Sequence, residues 1–291
     1  MTAADVLPEA VVYDHLINLP NSLKNLGAYN PNGWGLAYYN NDGLTALRGK
    51  PPANTDQNFT LAVQKIAESS ASIAVGHVRL ATSGAINIPN PHPFVRDKGG
   101  KFWAFGHNGG LDKNKLKTLI GAEYLADNPP TVGSNWDDPN VVDSDLYMLY
   151  VMKCIEENGW NVISGIAKAV ADIRAVDYGA MNFFLTDGET LWGFRLGYEL
   201  YYYYNSTSSS QYSALASQFP KDTQDGWIAL QDYNLVILTK GNPPIVIDNV
   251  TTIPEFSPST LLLMLLSLTL LTITIHRKKK PYQKRKKTQL T

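Results

Sequence analysis

Two apolar segments that each end in polar residues decide the fold of this chain: SIAVGHVRLATSG at residues 72–84 and KFWAFGHNGG at residues 101–110. Their β-branched and aromatic residues predict two strands, and each strand runs into a glycine turn. The polar residues delivered to these turns are Arg79, Thr82, Ser83, His107 and Asn108. Polar groups placed where strands end are typical of a functional site.

The flanking segments alternate between strand and helix signals. Residues 33–39 and 44–48 enclose an Asn-Asn-Asp-Gly turn and predict a hairpin. The two prolines of 90–94 fix an extended connection. Helices are predicted over 11–26 (interrupted by Pro20), 59–68, 112–120, 144–157 and 162–173. Further strands are predicted over 180–185, 191–196, 200–204, 213–217, 227–230, 234–239 and 245–247. Strands, then helices, then strands suit two sheets packed between helix layers.

Composition separates a globular part from a basic end. The chain has 291 residues, 44% of them hydrophobic, which is enough for one large core or two small ones. The formal net charge is −1, but eight Lys and Arg residues lie within 277–287 and no acid follows Glu255. Subtracting those eight positive charges from −1 leaves about −9 for everything before them. This charge argues against nucleic-acid binding by the globular part.

Five short motifs, taken in order, carry a family resemblance: NGWGL at 32–36, GHVRLATSG at 76–84, HPF at 92–94, HNG at 107–109 and VDSD at 142–145. In sequence and spacing they resemble the class II glutamine amidotransferases, and most of all the stand-alone single-domain branch. The resemblance covers about residues 5–250. It implies an α+β fold, the four-layer αββα sandwich of the N-terminal nucleophile hydrolases. It also implies hydrolysis of the side-chain amide of glutamine, or of a γ-glutamyl amide or peptide, without a cofactor or metal.

On this resemblance, three residues would hold the amino-acid end of a small-molecule substrate. Arg79 would grip the α-carboxylate with two parallel hydrogen bonds, a geometry that Lys cannot copy. The alternative for Arg79 is a surface ion pair. Thr82 would add a hydroxyl contact to the same carboxylate, or serve as a turn residue. Asp143 would pair with the α-ammonium, cap the following helix, or do both.

Asn108 and Gly109 would form the oxyanion hole, the first through its side-chain amide and the second through its backbone N–H. The alternative is an ordinary Asn-Gly hairpin turn. We interpret His77, His92 and His107 as packed, hydrogen-bonded residues of the fold, because no carboxylate spacing indicates a metal site. Cys154 shares a helix face with apolar neighbours, so we interpret it as a core residue.

The family resemblance requires a nucleophilic N-terminal cysteine, and no cysteine precedes Cys154. Three explanations remain open. An upstream segment with a leader and the cysteine is missing from this sequence, the chain has been trimmed, or it is a degenerate relative that binds without hydrolysing. We favour the first, because one missing segment also accounts for the absent signal peptide. The alternative function is a catalytically inactive, membrane-anchored surface binding protein.

The C-terminal region differs in kind from the rest of the chain. After domain 1–252 and a linker at 253–258, the uncharged apolar run predicts a transmembrane helix at 259–276, and the basic residues predict a cytoplasmic tail at 277–291. The alternative for this run is a buried core helix. The Pro-Glu-Phe of the linker resembles an archaeal sorting signal and implies a sorting enzyme as a partner. We therefore expect a membrane-anchored protein with an extracellular domain.

Overall fold

The computed structural model describes residues 1–3, 5–86, 89–207, 211–221 and 223–252. The predicted linker, transmembrane helix and basic tail lie outside these described residues. Within the described ranges, no helix combines the length and the apolar character that a membrane crossing requires. The expectations about the C-terminal region therefore stay predictions.

The strands agree with the sequence analysis to within a few residues at each end, with two additions. β1 and β5 are not predicted, since β1 has only two residues and β5 begins directly after Pro93. In chain order the strands of the described residues are β1 (Thr2–Ala3), β2 (Trp34–Asn40), β3 (Gly43–Gly49), β4 (Ile73–Val78), β5 (Phe94–Lys98), β6 (Lys101–Gly109), β7 (Met181–Thr186), β8 (Thr190–Phe194), β9 (Tyr201–Asn205), β10 (Tyr212–Ala216), β11 (Ile228–Ala229), β12 (Leu235–Thr239) and β13 (Ile245–Ile247).

Four of the helices in the described residues begin after a side chain that caps them. Asp56 accepts a hydrogen bond from the N–H of Asn58, and Asp112 accepts two from the N–H groups of Asn114 and Lys115. The α-helices are α1 (Glu9–Tyr13), α2 (Leu23–Leu26), α3 (Gln57–Glu68), α4 (Lys113–Ile120), α5 (Ala122–Asp127), α6 (Asp143–Glu157) and α7 (Val162–Val176). The helix predicted over 11–26 is divided, with a π-helical turn at Asp14–Asn18 between α1 and α2.

Two antiparallel sheets form the centre of the described chain. The strand order of the first sheet is β11-β9-β10-β1-β4-β2-β3, and that of the second is β13-β12-β8-β7-β6-β5. Every pairing in both sheets is antiparallel. This confirms the α+β class and the two sheets expected from the sequence.

Three apolar clusters separate four layers. In one cluster, α1 and α3 pack on the first sheet, where Phe59, Val63 and Ile66 are fully or almost fully buried. In another, α4, α6 and α7 pack on the second sheet. The third cluster lies between the sheets and contains side chains from both, such as Ile73 and Val236. The resulting order is helices, sheet, sheet, helices, as in the expected sandwich.

The inner strands are buried on both faces. In β2, Leu36 and Tyr38 belong to the cluster beneath the helices, whereas the alternate residues Ala37 and Tyr39 belong to the cluster between the sheets. Side chains of a strand alternate between its two faces. A strand covered on both faces must therefore be apolar at nearly every position, and this explains the run WGLAYY within β2.

Tyr39 supplies a polar link between the sheets. It lies on β2 in the first sheet, and its hydroxyl is 2.9 Å from the carbonyl oxygen of Phe102 and 3.2 Å from that of Thr186, both in the second sheet. The side chain is 7% exposed. Burial raises the pKa of the Tyr39 phenol well above its ordinary value, so the hydroxyl keeps its proton and donates.

We predict that Tyr39→Phe lowers the free energy of unfolding by about 1–3 kcal/mol, because buried carbonyl groups lose a hydrogen-bond donor. The matched control is Tyr38→Phe, whose hydroxyl has no hydrogen-bond partner among the described residues. Urea unfolding followed by circular dichroism measures both variants. Equal effects of the two substitutions would show that the link between the sheets contributes nothing of its own.

Candidate functional site

The polar strand ends meet in one cleft with a volume of about 550 Å³. Its walls come from the ends of β4 and β6, the loop after β4, the start of α6 and the loop between β8 and β9. The five residues to which the family resemblance assigns a role in the site all line this cleft: Arg79, Thr82, Asn108, Gly109 and Asp143. Residues up to 64 positions apart in the chain, from Arg79 to Asp143, are thus brought together by the sheets.

Arg79 is a buried cation whose position is fixed by the backbone around it. The side chain is 3% exposed, Nη1 donates to the carbonyl of Ala85 at 2.8 Å, and Nη2 donates to the carbonyl of Ser83 at 2.6 Å. A guanidinium has five N–H donors, so others remain for a ligand. Because Arg79 is buried and bonded to loop carbonyls, the alternative of a surface ion pair is wrong.

Gly84 allows the loop that holds Arg79 to approach the segment before α6. Its φ is +71°, which is in the left-handed region, and an added Cβ would lie 2.4 Å from Cγ1 of Val142. A side chain here would push the two segments apart. The close approach joins the loop of Arg79 to the residue that precedes Asp143.

Asp143 is the first residue of α6 and is 5% exposed. One carboxylate oxygen, Oδ2, accepts a hydrogen bond of 2.9 Å from the backbone N–H of Leu111. The expectation that Asp143 caps the helix is wrong, because Val142 occupies the N-cap and no side chain caps this end. The carboxylate is nevertheless favoured at this position, since helix N-termini stabilise negative charge.

Asn108 and Gly109 lie within a strand. In the β6–β7 ladder, Asn108 is paired with Asn182 and Gly109 with Met181, so the alternative of an Asn-Gly turn is wrong. The side chain of Asn108 is exposed to the cleft and has no hydrogen-bond partner in the part of the chain that the structure describes. At Gly109 an added Cβ would lie 1.9 Å from the carbonyl oxygen of Ala180, so glycine also permits close strand packing here.

His107 stands behind the cleft as a buried, neutral side chain. Its Nε2 is 3.0 Å from the carbonyl of Ala180 and its Nδ1 is 3.0 Å from the hydroxyl of Ser144. A carbonyl only accepts, so we assign the ring proton to Nε2, and Nδ1 accepts from Ser144. Burial lowers the pKa of His107, although the carboxylate of Asp143, 3.9 Å away, opposes this.

His77 and His92 are stacked, with ring centroids 4.2 Å apart, and Asn90 connects them. Nδ2 of Asn90 lies 3.0 Å from Nδ1 of His77, and Oδ1 of Asn90 lies 3.2 Å from Nδ1 of His92. Burial lowers the pKa of His77 to about 4 and holds that of His92 well below its ordinary value, so neither is charged near neutral pH. The interpretation of the three histidines as packed, hydrogen-bonded residues is confirmed. No group of His, Cys, Asp and Glu within the described ranges could hold a metal ion.

Cys154 does not line the cleft. It is fully buried among the apolar residues of α6 and α7. Burial raises the pKa of its thiol to about 12, which keeps it protonated and unreactive. The interpretation of Cys154 as a core residue is confirmed.

A gap in the first sheet adjoins the cleft. β1 pairs with β4 through Thr2 and Ile73, but β4 continues past Met1 towards His77. The resulting cavity of about 170 Å³ is lined by Val75, Gly76 and His77 on one side and by Leu215, Ala216 and Ser217 on the other. Met1 and Asn108 also line it. We call this cavity the strand gap.

Met1, whose α-amine begins the chain as numbered, lines the strand gap. The amine donates a hydrogen bond of 2.7 Å to the carbonyl of Ala74 and is buried. Burial lowers the pKa of this amine from 8.0 to about 5, so it is neutral at pH 7. A chain-terminal amine in this environment is able to accept a proton.

One wall of the cleft is not predicted from the sequence. Tyr198 and Glu199, from the loop between β8 and β9, and Ser217 and Gln218, which follow β10, also line it. None of them lies in a recognisable motif. Their position depends on contacts between distant parts of the chain, which no local sequence signal reports.

A comparison with known proteins finds a family whose members this chain resembles. Residues 20–206 match the family described as glutamine amidotransferases class-II. The chain is 31% identical over 179 residues to an uncharacterized protein of Methanocaldococcus jannaschii, covering 60% of this chain and 45% of that protein. It is 26% identical over 164 residues to a protein of Haemophilus influenzae with the provisional name glutamine amidotransferase, covering 54% and 49%. The chain thus spans about half the length of these relatives.

Solved structures share the fold. Glutamine phosphoribosylpyrophosphate amidotransferase from B. subtilis, complexed with ADP and GMP, matches with a TM-score of 0.57 at 16% identity, covering 84% of this chain and 47% of that chain. A glutamine aminotransferase class-II domain protein from Silicibacter pomeroyi matches with a TM-score of 0.53 at 19% identity, covering 74% and 90%. At these identities the likeness concerns the fold alone.

Proposed function

Because this chain belongs to the class II glutamine amidotransferases, we propose that it hydrolyses the side-chain amide of glutamine, or of a γ-glutamyl amide or peptide, through an N-terminal cysteine. The observation that carries the proposal is the convergence of Arg79, Asp143 and Asn108 on one cleft. These are the groups that bind the two charged ends of an amino acid and stabilise an oxyanion. The alternative of an inactive binding protein gains no support from the comparisons.

The two charged ends of the substrate have matching partners. The α-carboxylate would bind the guanidinium donors of Arg79 that the loop carbonyls do not use, with the hydroxyl of Thr82 beside them. The α-ammonium would bind the carboxylate of Asp143, of which only Oδ2 is engaged by Leu111. Both charged groups are buried, so they would hold the substrate in one orientation.

In the reaction, the thiol of the N-terminal cysteine transfers its proton to its own neutral α-amine, and the thiolate attacks the amide carbon. The negative charge on the amide oxygen would be stabilised by the side-chain N–H of Asn108 and the backbone N–H of Gly109. The C–N bond then breaks, and the ammonium returns its proton to the departing amine. Water finally hydrolyses the thioester to release the acid.

The strand gap is the place where such a cysteine would fit. Met1 is opposite Ala74, so each residue that preceded it would lie opposite the next residue of β4: Val75, then Gly76, then His77. A strand that continued in this way would run through the strand gap and reach the cleft beside Asn108. The neutral form of the α-amine of such a cysteine is the one that accepts the thiol proton.

We predict that full chains extended before Met1, with cysteine as first residue one, two or three positions upstream, include one that releases ammonia from glutamine. The chain as numbered, and the active extension with serine in place of cysteine, should release none, because they lack the N-terminal thiol. A coupled glutamate dehydrogenase assay measures the ammonia. Activity of the chain as numbered, or inactivity of the whole cysteine series, would contradict the proposal.

We predict that Asn108→Ala in the active form lowers kcat by roughly 10²- to 10³-fold with little change in KM, because its amide acts on charge that appears in the transition state. The free energy of unfolding should not change, since this side chain has no hydrogen-bond partner among the described residues. The matched control is Asn18→Ala on the surface. A parallel loss of stability and rate would assign Asn108 a structural role instead.

We further propose that the predicted helix at 259–276 anchors the protein, with the domain outside the cell and the basic tail inside. The support is the uncharged run followed by eight basic residues. Protease added to intact cells that express the full precursor should digest the domain and spare the tail. Protection of the domain until the cells are lysed would show instead that it faces the cytoplasm.

A further inference from the structure

The cleft has two distinct ends. At one end, Thr82, Ser83 and Asp143 also line a neighbouring surface cavity of about 630 Å³. At the other end, Ser217 and Gln218 also line the strand gap. Asn108 borders the strand gap and not the surface cavity. A substrate held by Asp143 and reacting beside Asn108 would therefore direct its leaving amine towards the end with Gln218.

The loop of Tyr198 and Glu199 lines the cleft and is fixed to β7 by Asn182, a residue that also lines the strand gap. Asn182 is 2% exposed and is the ladder partner of Asn108. Its Nδ2 donates to the carbonyls of Tyr198 at 2.9 Å and Glu199 at 3.3 Å. Its Oδ1 accepts from the N–H groups of Leu196 at 2.9 Å and Tyr198 at 3.3 Å. One buried amide thus holds the backbone of Glu199 in a set position relative to Asn108.

The carboxylate of Glu199 has no partner in the glutamyl group of the proposed substrate. The charged side chains that line the described cleft are Arg79, Asp143 and Glu199, since its histidines are neutral near pH 7. The α-carboxylate and α-ammonium of a glutamyl group would balance Arg79 and Asp143, one each. The carboxylate of Glu199 accepts a hydrogen bond from the hydroxyl of Tyr201 and is exposed, so it remains available to a ligand.

We infer that Glu199 selects γ-glutamyl amides whose leaving amine carries a second, positively charged group. This inference rests on the proposed function, because it places the leaving amine by the position of Asn108. A carboxylate and an ammonium or guanidinium form a charge-assisted hydrogen bond, whereas the ammonia released from glutamine has no group that reaches beyond the amide. The preferred substrates are therefore conjugates of glutamate with diamines or similar cationic amines.

The test uses two amides of equal length, the γ-glutamyl 4-aminobutyl amide, which is cationic, and the γ-glutamyl butyl amide, which is neutral. In the cysteine-bearing form, we expect kcat/KM to be roughly tenfold higher for the cationic amide. Glu199→Gln should bring the ratio close to one, and Glu199→Asp should restore part of it. The matched control, Glu189→Gln at the exposed turn between β7 and β8, should keep the wild-type ratio.

A second measurement separates this inference from the proposed function. Calorimetry gives the dissociation constants of both amides for the full chain as numbered, so it requires no turnover. If no substrate is hydrolysed, the proposed function fails, and the ratio of the two dissociation constants still tests Glu199. A ratio near one in the wild-type chain, or an unchanged ratio in Glu199→Gln, would overturn the inference. The preference should also shrink with added salt, because Glu199 is exposed.

Discussion

Burial of the inner strands on both faces is the constraint on which the rest of this structure depends. Strand β4 begins with Ile73 at 0% exposure and stays apolar until His77, and β6 is apolar from Phe102 until His107. An unpaired polar group between the sheets would lose its hydration without compensation. Polar side chains are therefore confined to the strand ends, and the two sheets bring those ends to one cleft. The site follows from the same packing that makes the core.

The elements with strong local signals could be predicted from the sequence. The β2–β3 hairpin and α3 follow from a turn motif and an apolar period, which act over a few residues. The two-residue strand β1 has no such signal, since it exists only because β10 and β4 supply partners on both sides. The sequence predicts Asp143 at the N-cap of α6, whereas it is the first residue of that helix and Val142 is the N-cap. Its carboxylate accepts from the distant N–H of Leu111, a contact that no local pattern reports.

Some residues of the candidate site could be predicted from the sequence, and others could not. Arg79, Thr82, Asn108, Gly109 and Asp143 lie in motifs, so the family resemblance found them, and they line one cleft. The residues of the opposite wall could not be found, because Asn182 holds their loop through hydrogen bonds to residues 14 to 17 positions away. A buried amide that bonds several backbone groups fixes a loop without leaving a pattern in the sequence.

The neutral histidines determine how the charges of the cleft are to be counted. Burial lowers the pKa of His77 to about 4 and lowers those of His92 and His107, so these rings add no positive charge near neutral pH. One guanidinium, of Arg79, and two carboxylates, of Asp143 and Glu199, then line the described cleft. A zwitterionic amino-acid head group satisfies one charge of each sign and leaves the excess carboxylate unchanged. Because the imidazoles are neutral, the two carboxylates outnumber the one guanidinium, and the charged side chains that line the described cleft sum to a net negative charge. A ligand that balances this charge brings a second cation.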